Sequence, residues 1–402
     1  MTPLGSLDTG NWISVPLAFE LHALETRMNF GFSEEQELLR AELRKFLDQN
    51  APMERVREIV ETESGSDPSL WNRMAELGWV GLCMPEEHGG VGLDLETLMV
   101  VLEETGRSLF PSPLISTVIA AKAIERFGTS EQQARWLPGL ADGSKIGTFA
   151  FLERSDSLAA DGVETFAKPD GDEFVLSGEK LFVTDVAAAD LFVVAVRSGS
   201  DAESLSLVVV DRQAKGVSVE TFDGMDLTKR VGRLRLEDVH VPADFVLGKP
   251  GAGWPAAQWL LDLGAALVTA EAVGAAEAAL EITTSFAKER IQFDEQIGKF
   301  QGVKHPLAEI YVDVESFRSL VYYAIWALDQ HAEDSALAVS RAKAYCADAF
   351  PAAGIMGVQL HGGVGYTWEY DIQLYLKRSK WVRPMFGDAD YHYERIARLG
   401  DL

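Results

Sequence analysis

The segment Gly248-Lys-Pro-Gly-Ala-Gly-Trp-Pro255 decides how this chain is divided, because the hydrophobic period changes on either side of it. Before it, β-prone runs follow one another from Glu173 to Val241, with turn signals such as Gly171-Asp172 and Asp223-Gly224 between them. After it, alanine-rich sequence keeps a helical period almost to the C-terminus. We therefore expect a small antiparallel β domain that is joined by this Gly/Pro-rich linker to a bundle of long helices.

The β domain is expected to contain six strands. They are predicted at Glu173–Leu176, Lys180–Thr184, Leu191–Val196, Leu205–Val210, Val217–Phe222 and Arg233–Val241. The Ser177-Gly178 pair predicts a turn between the first two strands. The polar pair Glu237-Asp238 interrupts the last run and indicates a strand–turn–strand edge.

Helical patterns surround the β domain on both sides in the sequence. Ser33 and Gln36 have the spacing of a capping box, and Ser130 with Gln133 repeats it. Further N-terminal helices are predicted at Leu70–Leu77, Leu95–Gly106 with Asp94 as N-cap, Leu114–Phe127 and Ser130–Leu140. C-terminal helices are predicted at Pro255–Lys288, Lys304–His331, Ser335–His361 and after Tyr370. The expected division is an N-terminal extension (1–27), a helical domain (28–146), a β domain (147–248) and a four-helix bundle (249–402).

Composition excludes several classes of function. The 402 residues include 36 Lys+Arg and 62 Asp+Glu, a net charge of −26 that repels phosphate polymers and argues against a nucleic-acid partner. Cys83 and Cys346 stand apart from one another and from any ligand cluster, so we expect two thiols in a reducing compartment and no metal site. No charge-free run of 18 residues predicts a membrane span, and no secretory signal is recognised, so a cytoplasmic location is expected.

Two glycine-rich loops are the strongest local motifs. They are Pro85-Glu-Glu-His-Gly-Gly-Val-Gly92 and Gln359-Leu-His-Gly-Gly-Val-Gly-Tyr366. Taken alone, each fits a helix C-terminal turn as well as a phosphate cradle. The nicotinamide fingerprint, the Walker A motif and the metalloprotease motif do not occur in the chain.

Taken with other stretches, these loops carry a family resemblance. The additional stretches are Trp71–Gly81, Leu176–Thr184, Asp238–Pro242 with Leu247-Gly248, Arg290–Phe293 through Gln296–Gln301 to Lys304-His305. In this order and spacing the sequence resembles the acyl-CoA dehydrogenase family from Phe32 to Leu399. The resemblance implies a mainly α fold with a β domain, and FAD held between the β domain and the bundle, with its ADP half reaching a neighbouring subunit. It assigns Thr184 to the flavin, and to the ADP moiety Arg290, Phe293, Gln359, Gly362 and Gly363.

The family's reaction removes a proton from C2 of an acyl-CoA thioester and a hydride from C3, and this chain departs from the family where that reaction needs a base. The usual glutamate position is Phe386, and the alternative position, early in the first long helix of the bundle, is Gly264. The remaining candidates are Asp388, which is our predicted base, Glu271 and Asp390, or no base at all. The loop Leu152-Glu-Arg-Ser-Asp-Ser-Leu158 also lacks polar side chains that relatives direct at the flavin.

Three hypotheses remain open at this stage. The chain is an FAD-dependent acyl-CoA dehydrogenase that forms a trans-2-enoyl-CoA, or a base-lacking subunit of a heteromeric dehydrogenase, or a flavin oxidase or monooxygenase on the same scaffold. The expected partners are an acyl-CoA substrate, an electron-transfer flavoprotein as electron acceptor, and further subunits in a homo- or hetero-oligomeric dimer of dimers.

Overall fold

A computed structural model describes residues 32–62 and 64–402. The predicted extension 1–27 lies outside these residues. As expected, the fold is mainly α-helical with one β domain in the middle of the chain.

Six α-helices precede the sheet within the residues that the structure describes. They are α1 (Glu34–Asn50), α2 (Met53–Val60), α3 (Pro68–Glu76), α4 (Leu95–Arg107), α5 (Leu114–Phe127) and α6 (Ser130–Ala141). The Ser33–Gln36 capping box is confirmed at the start of α1. The predicted box at Ser130 and Gln133 is wrong by one residue, because Thr129 has the extended backbone of an N-cap and pairs with Gln132.

The β domain is an eight-stranded sheet. Its strands are β1 (Gly147–Ala150), β2 (Phe166–Asp170), β3 (Glu173–Thr184), β4 (Leu191–Arg197), β5 (Leu205–Asp211), β6 (Val217–Thr221), β7 (Val231–Pro242) and β8 (Val246–Leu247). The order is β6-β7-β3-β2-β4-β5-β8, and β1 lies beside β4. The expectation of a purely antiparallel sheet is wrong, because β1 and β2 each pair with β4 in parallel. Both are short strands that the sequence analysis did not include.

Two predicted turns are instead one β-bulge. Leu176 pairs with Val239 and Gly178 with Leu236, so Ser177 alone faces Glu237 and Asp238 across continuous β3 and β7. The Ser177 hydroxyl donates a 3.0 Å hydrogen bond to the Asp238 carboxylate. The two polar pairs that resembled turns therefore interrupt the ladder without ending either strand.

Five helices form the C-terminal part. They are α7 (Trp254–Glu289), α8 (Gln301–Asp329), α9 (Ser335–His361), α10 (Ile372–Val382) and α11 (Ala389–Leu399), with a small hairpin, β9 (Ile291–Gln292) and β10 (Glu295–Gln296), after α7. The segment that was predicted after Tyr370 is two short helices rather than one. Helix α7 is long and apolar enough to cross a membrane by composition, but 89% of its most apolar window is buried in the fold. It is the central helix of this core, and it packs closely on α4, where a Cβ on Gly274 would overlap the Glu103 carbonyl.

Candidate active site

The β domain, α7 and the α10–α11 loop enclose a narrow cavity of about 30 Å³. Phe149 and Leu152 contribute from β1 and the loop after it, Leu261 from α7, and Phe386 from the α10–α11 loop. Thr184, at the end of β3, is the single polar side chain among the described residues that line it. Because one water needs roughly 10–15 Å³, this conformation has room for a few waters and none for an acyl chain.

The two positions where a base was sought are in direct contact. The Phe386 ring lies against the backbone of Gly264, and a Cβ added to Gly264 would overlap the ring. Phe386 has a left-handed φ of 57°, and Gly387 after it has a φ of 101°. The ring therefore fills the space that a longer side chain at residue 264 would need. The sequence indicates both positions separately but not their contact.

The predicted base, Asp388, lies outside the cavity lining. It is exposed and forms the N-cap of α11, where its carboxylate accepts a 3.0 Å hydrogen bond from the Tyr391 amide. Asp390 is exposed in the first turn of the same helix. A catalytic role for Asp388 stays a prediction, and its capping bond competes with it.

Glu271, the third carboxylate candidate, is committed to a buried ion cluster. Its oxygens accept hydrogen bonds from Lys229 (2.8 Å) and Arg378 (3.1 Å). Arg378 is fully buried and also binds Asp226 at 2.6 Å. Because both cations compete for its lone pairs, Glu271 is poorly suited to accept a proton from a substrate.

Asp185, the residue after Thr184, was missed by the sequence analysis. Its carboxylate accepts a 2.7 Å hydrogen bond from the Ser116 hydroxyl of α5. Burial raises its pKa to about 6, against the opposing effect of the Lys229 charge. This bond fixes the end of β3, and thus Thr184, to the N-terminal helices.

A second buried pair fixes the loop after β1. Lys180 is fully buried and donates to the Glu153 carboxylate (2.6 Å) and to the Phe151 carbonyl (3.1 Å). Glu153 also accepts bonds from the Glu164 and Thr165 amides. Burial lowers the pKa of Lys180 to about 8. The signal in the sequence was Lys180 itself, which shares the inward face of β3 with buried Leu176, since side chains alternate along a strand.

The residues assigned to the ADP moiety lie elsewhere, at the far end of the bundle. Helices α7 and α9 end together there, because the Phe286 ring stacks on His361 with 4.2 Å between ring centroids. This contact brings Arg290, just after α7, to the same end of the bundle as Gly362 and Gly363, just after α9. The group is exposed: Phe293 is 85% exposed, and nothing lies within 4 Å of a Cβ built on either glycine.

Within one chain these two groups lie near opposite ends of α7. Thr184 shares its cavity with Leu261, near the start of α7, whereas Arg290 follows the last residue of that helix. The helix between Gly264 and Arg290 is about 39 Å long at 1.5 Å per residue. The assignment of both groups to one FAD, which the family resemblance implies, therefore requires residues from two chains.

Comparison with known proteins gives a family for this arrangement. Residues 33–144, 148–239 and 251–400 match the N-terminal, middle and C-terminal domains described for acyl-CoA dehydrogenase. The chain belongs to the acyl-CoA dehydrogenase family. Acyl-CoA dehydrogenase IpdE2 of Mycolicibacterium smegmatis is 35% identical over 90% of this chain and 98% of its own length.

Solved structures of the family have the same fold. Butyryl-CoA dehydrogenase from Megasphaera elsdenii is 26% identical, with a TM-score of 0.84 over 93% of this chain and 100% of its own. The ChsE4-ChsE5 complex from Mycobacterium tuberculosis is 28% identical, with a TM-score of 0.85 over 93% of this chain and 100% of the matched chain. Members of the acyl-CoA dehydrogenase family are FAD-dependent.

The two ends of the chain differ in how well they fit FAD. At the ADP end, an exposed arginine offers a bidentate cation, and two glycines with open space around them allow a pyrophosphate to approach the backbone closely. At the ring end, the described lining offers only the Thr184 hydroxyl beside aromatic and aliphatic side chains. The residues of this chain therefore fit the ADP half better than the flavin ring.

Proposed function

We propose that this chain is a base-lacking subunit of a heteromeric acyl-CoA dehydrogenase, which converts an acyl-CoA to a trans-2-enoyl-CoA. A homologous partner chain supplies the catalytic carboxylate and the acyl pocket. This chain supplies the ADP-binding residues to the partner's FAD. The proposal assigns the chain to the second of the three hypotheses that its sequence left open.

The observation that carries the proposal is the contact between Phe386 and Gly264. Neither position carries a carboxylate, and a residue without a side chain stands where the Phe386 ring needs space. The ring also fills the space beside Gly264, so a substrate cannot place C2 there. The narrow cavity and the capping role of Asp388 point the same way.

In the assembly, the residues of this chain act mainly by binding and orientation. Bound FAD supplies the chemistry of hydride acceptance from C3. Arg290 binds the pyrophosphate with its planar fork, and the absence of side chains at Gly362 and Gly363 lets the same anion approach the backbone closely. Phe386 excludes acyl groups from the chain's own cavity, which prevents a second, unproductive site.

The alternative in which this chain acts alone uses Asp388 as its base. It requires the Asp388 side chain to leave the Tyr391 amide, and the Phe386 ring to leave Gly264. The oxidase or monooxygenase alternative needs the same opening. An electron-transfer flavoprotein as acceptor and a cytoplasmic location remain parts of the proposal that follow from the family resemblance.

Flavin content tests the proposal most directly. The chain is purified alone and after co-expression with a homologous chain from the same organism that has glutamate at the usual base position. We expect little FAD on the isolated chain, and about one FAD for every two chains in an active mixed complex. A flavin-saturated homo-oligomer whose flavin is bleached by an acyl-CoA would overturn the proposal.

A matched pair of variants tests the shared site. Arg290→Ala is expected to lower the FAD content of the mixed complex several-fold, because a charge-assisted bidentate contact is lost. Lys288→Ala removes an equally exposed cation two residues earlier and is expected to leave it unchanged. Equal FAD content in both variants would contradict the assignment of Arg290.

A further inference from the structure

The α10–α11 loop, residues 383–388, is hydrogen-bonded to a buried lysine of α9. Lys343 is fully buried, and its ammonium donates hydrogen bonds to the Arg383 carbonyl (2.9 Å) and the Gly387 carbonyl (2.7 Å). The first bond caps the C-terminus of α10, a common use of a lysine. The second joins that helix end to the far side of the loop, so one side chain closes the loop around Phe386.

A histidine of α11 holds the residue between these carbonyls. His392 is fully buried, and its Nε2 lies 3.0 Å from the Phe386 carbonyl oxygen. A carbonyl can only accept, so Nε2 carries the hydrogen, and Nδ1 has no hydrogen-bond partner among the described residues. Burial and the nearby Lys343 charge lower the pKa of His392 to about 3, so the ring is a neutral donor at physiological pH.

These bonds act on a backbone that would not adopt this shape by itself. Phe386 is in the left-handed region, which costs a non-glycine residue free energy, and Gly387 has a φ that side chains rarely adopt. A Cβ on Gly387 would also overlap the Tyr391 ring. Two buried donors on the Phe386 and Gly387 carbonyls, one from each neighbouring helix, therefore specify the direction in which the Phe386 ring points.

We propose that Lys343 and His392 are positioning residues that fix the Phe386 ring against Gly264 and so keep this chain's acyl cavity closed. The inference rests on the proposed function, because closure matters only if the chain does not turn over substrate in its own cavity. Neither residue lines the described cavity, so both act through the loop.

The test measures how often residue 386 is exposed to solvent. A Phe386→Cys reporter is labelled with iodoacetamide in the full chain. Because Lys343 and His392 bind backbone carbonyls, they hold the backbone at residue 386 when the ring is absent as well. Cys83 and Cys346 give little background, because both are buried and burial raises their thiol pKa values to about 11 and about 12. Labelling at each cysteine is followed by mass spectrometry.

Adding Lys343→Met to the reporter is expected to raise the labelling rate at residue 386 by about tenfold or more. The reason is that both buried hydrogen bonds of the Lys343 ammonium to the loop are lost. The loss of the nearby ammonium disfavours the reactive thiolate, so an increase cannot come from the thiol's acidity. The matched control is Lys380→Met, which removes a partly exposed lysine of α10 and should leave the rate unchanged. An unchanged rate in Lys343→Met would overturn the proposal.

His392 gives a second measurement if the lysine variant does not fold. His392→Leu should also speed labelling at residue 386, and His392→Gln, which keeps an N–H donor, should restore the slow rate. Equal rates for the leucine and glutamine variants would refute a positioning role. If the variants speed labelling of Cys83 or Cys346 as much as labelling of residue 386, then Lys343 and His392 stabilise the whole fold. That result would likewise overturn the positioning proposal. The labelling rate measures opening of the α10–α11 loop, whereas flavin content tests the role of the chain as a base-lacking subunit. The positioning proposal and the functional proposal can therefore fail separately.

Discussion

At the scale of single residues, Gly264 and Phe386 behave as one unit although each is ordinary alone. A glycine inside a helix costs about 1 kcal/mol relative to alanine, so Gly264 in α7 needs a reason. The Phe386 ring gives it, because no side chain fits beneath the ring. The two identities are therefore coupled, and the coupling can be measured.

We expect Gly264→Ala to destabilise the chain when Phe386 is present, because overpacking costs about 1–3 kcal/mol and exceeds the helix-propensity gain. In a Phe386→Ala background the same change should become stabilising by up to about 1 kcal/mol. Urea unfolding of the wild type, both single variants and the double variant gives the coupling energy. The same effect of Gly264→Ala in both backgrounds would show that ring and glycine are not coupled.

At the scale of secondary-structure elements, period and capping signals predicted most helices, and β3 shows where such signals fail. Leu114–Phe127 and Ser335–His361 were predicted at their observed ends, because an apolar face and terminal residues define a helix locally. Strand β3 was divided into two, because a bulge and a turn use the same polar residues and glycine. Pairing with the partner strand β7 decides whether such residues form a bulge or a turn. A single run of sequence contains no information about that pairing.

The buried pair within this domain gives the prediction at the element scale. Lys180→Met should destabilise the chain by about 3 kcal/mol or more, because the Glu153 carboxylate stays buried without its cation. Arg154→Ala breaks an ion pair with Glu179 in which Arg154 is 77% exposed, and it should cost less than about 1 kcal/mol. Urea unfolding compares the two variants. Equal losses would mean that burial does not decide the value of these pairs.

At the scale of the whole molecule, the sequence predicted the order of the three parts, and its family resemblance assigned site residues whose roles stay a prediction. It could not predict the contacts that link these parts. Arg378 binds Asp226 of the β domain and Glu271 of α7, and Asp185 binds Ser116 of α5. Such pairs join residues that are distant in sequence, and no local period marks them. The closed cavity follows from contacts of the same kind.

The exposed end of the bundle gives the prediction at this largest scale. Large apolar side chains cluster in the hairpin after α7 and in the segment after α9, where Ile291, Phe293, Tyr366 and Trp368 are each at least 45% exposed. Apolar exposure of this kind marks a surface that another chain covers. Since Arg290 and the two glycines lie at the same end, the covering chain and the FAD site should depend on each other.

We expect Phe293→Glu to divide the assembly into smaller species and to release its FAD, because a charge would be buried in the interface without a partner. Light scattering gives the mass, and circular dichroism should show unchanged helix content. Leu38→Glu, on α1, introduces the same charge at another 65% exposed apolar residue and should leave the assembly intact. An intact, flavin-loaded assembly of the Phe293→Glu variant would place the subunit contact elsewhere and would separate the ADP-binding residues from it.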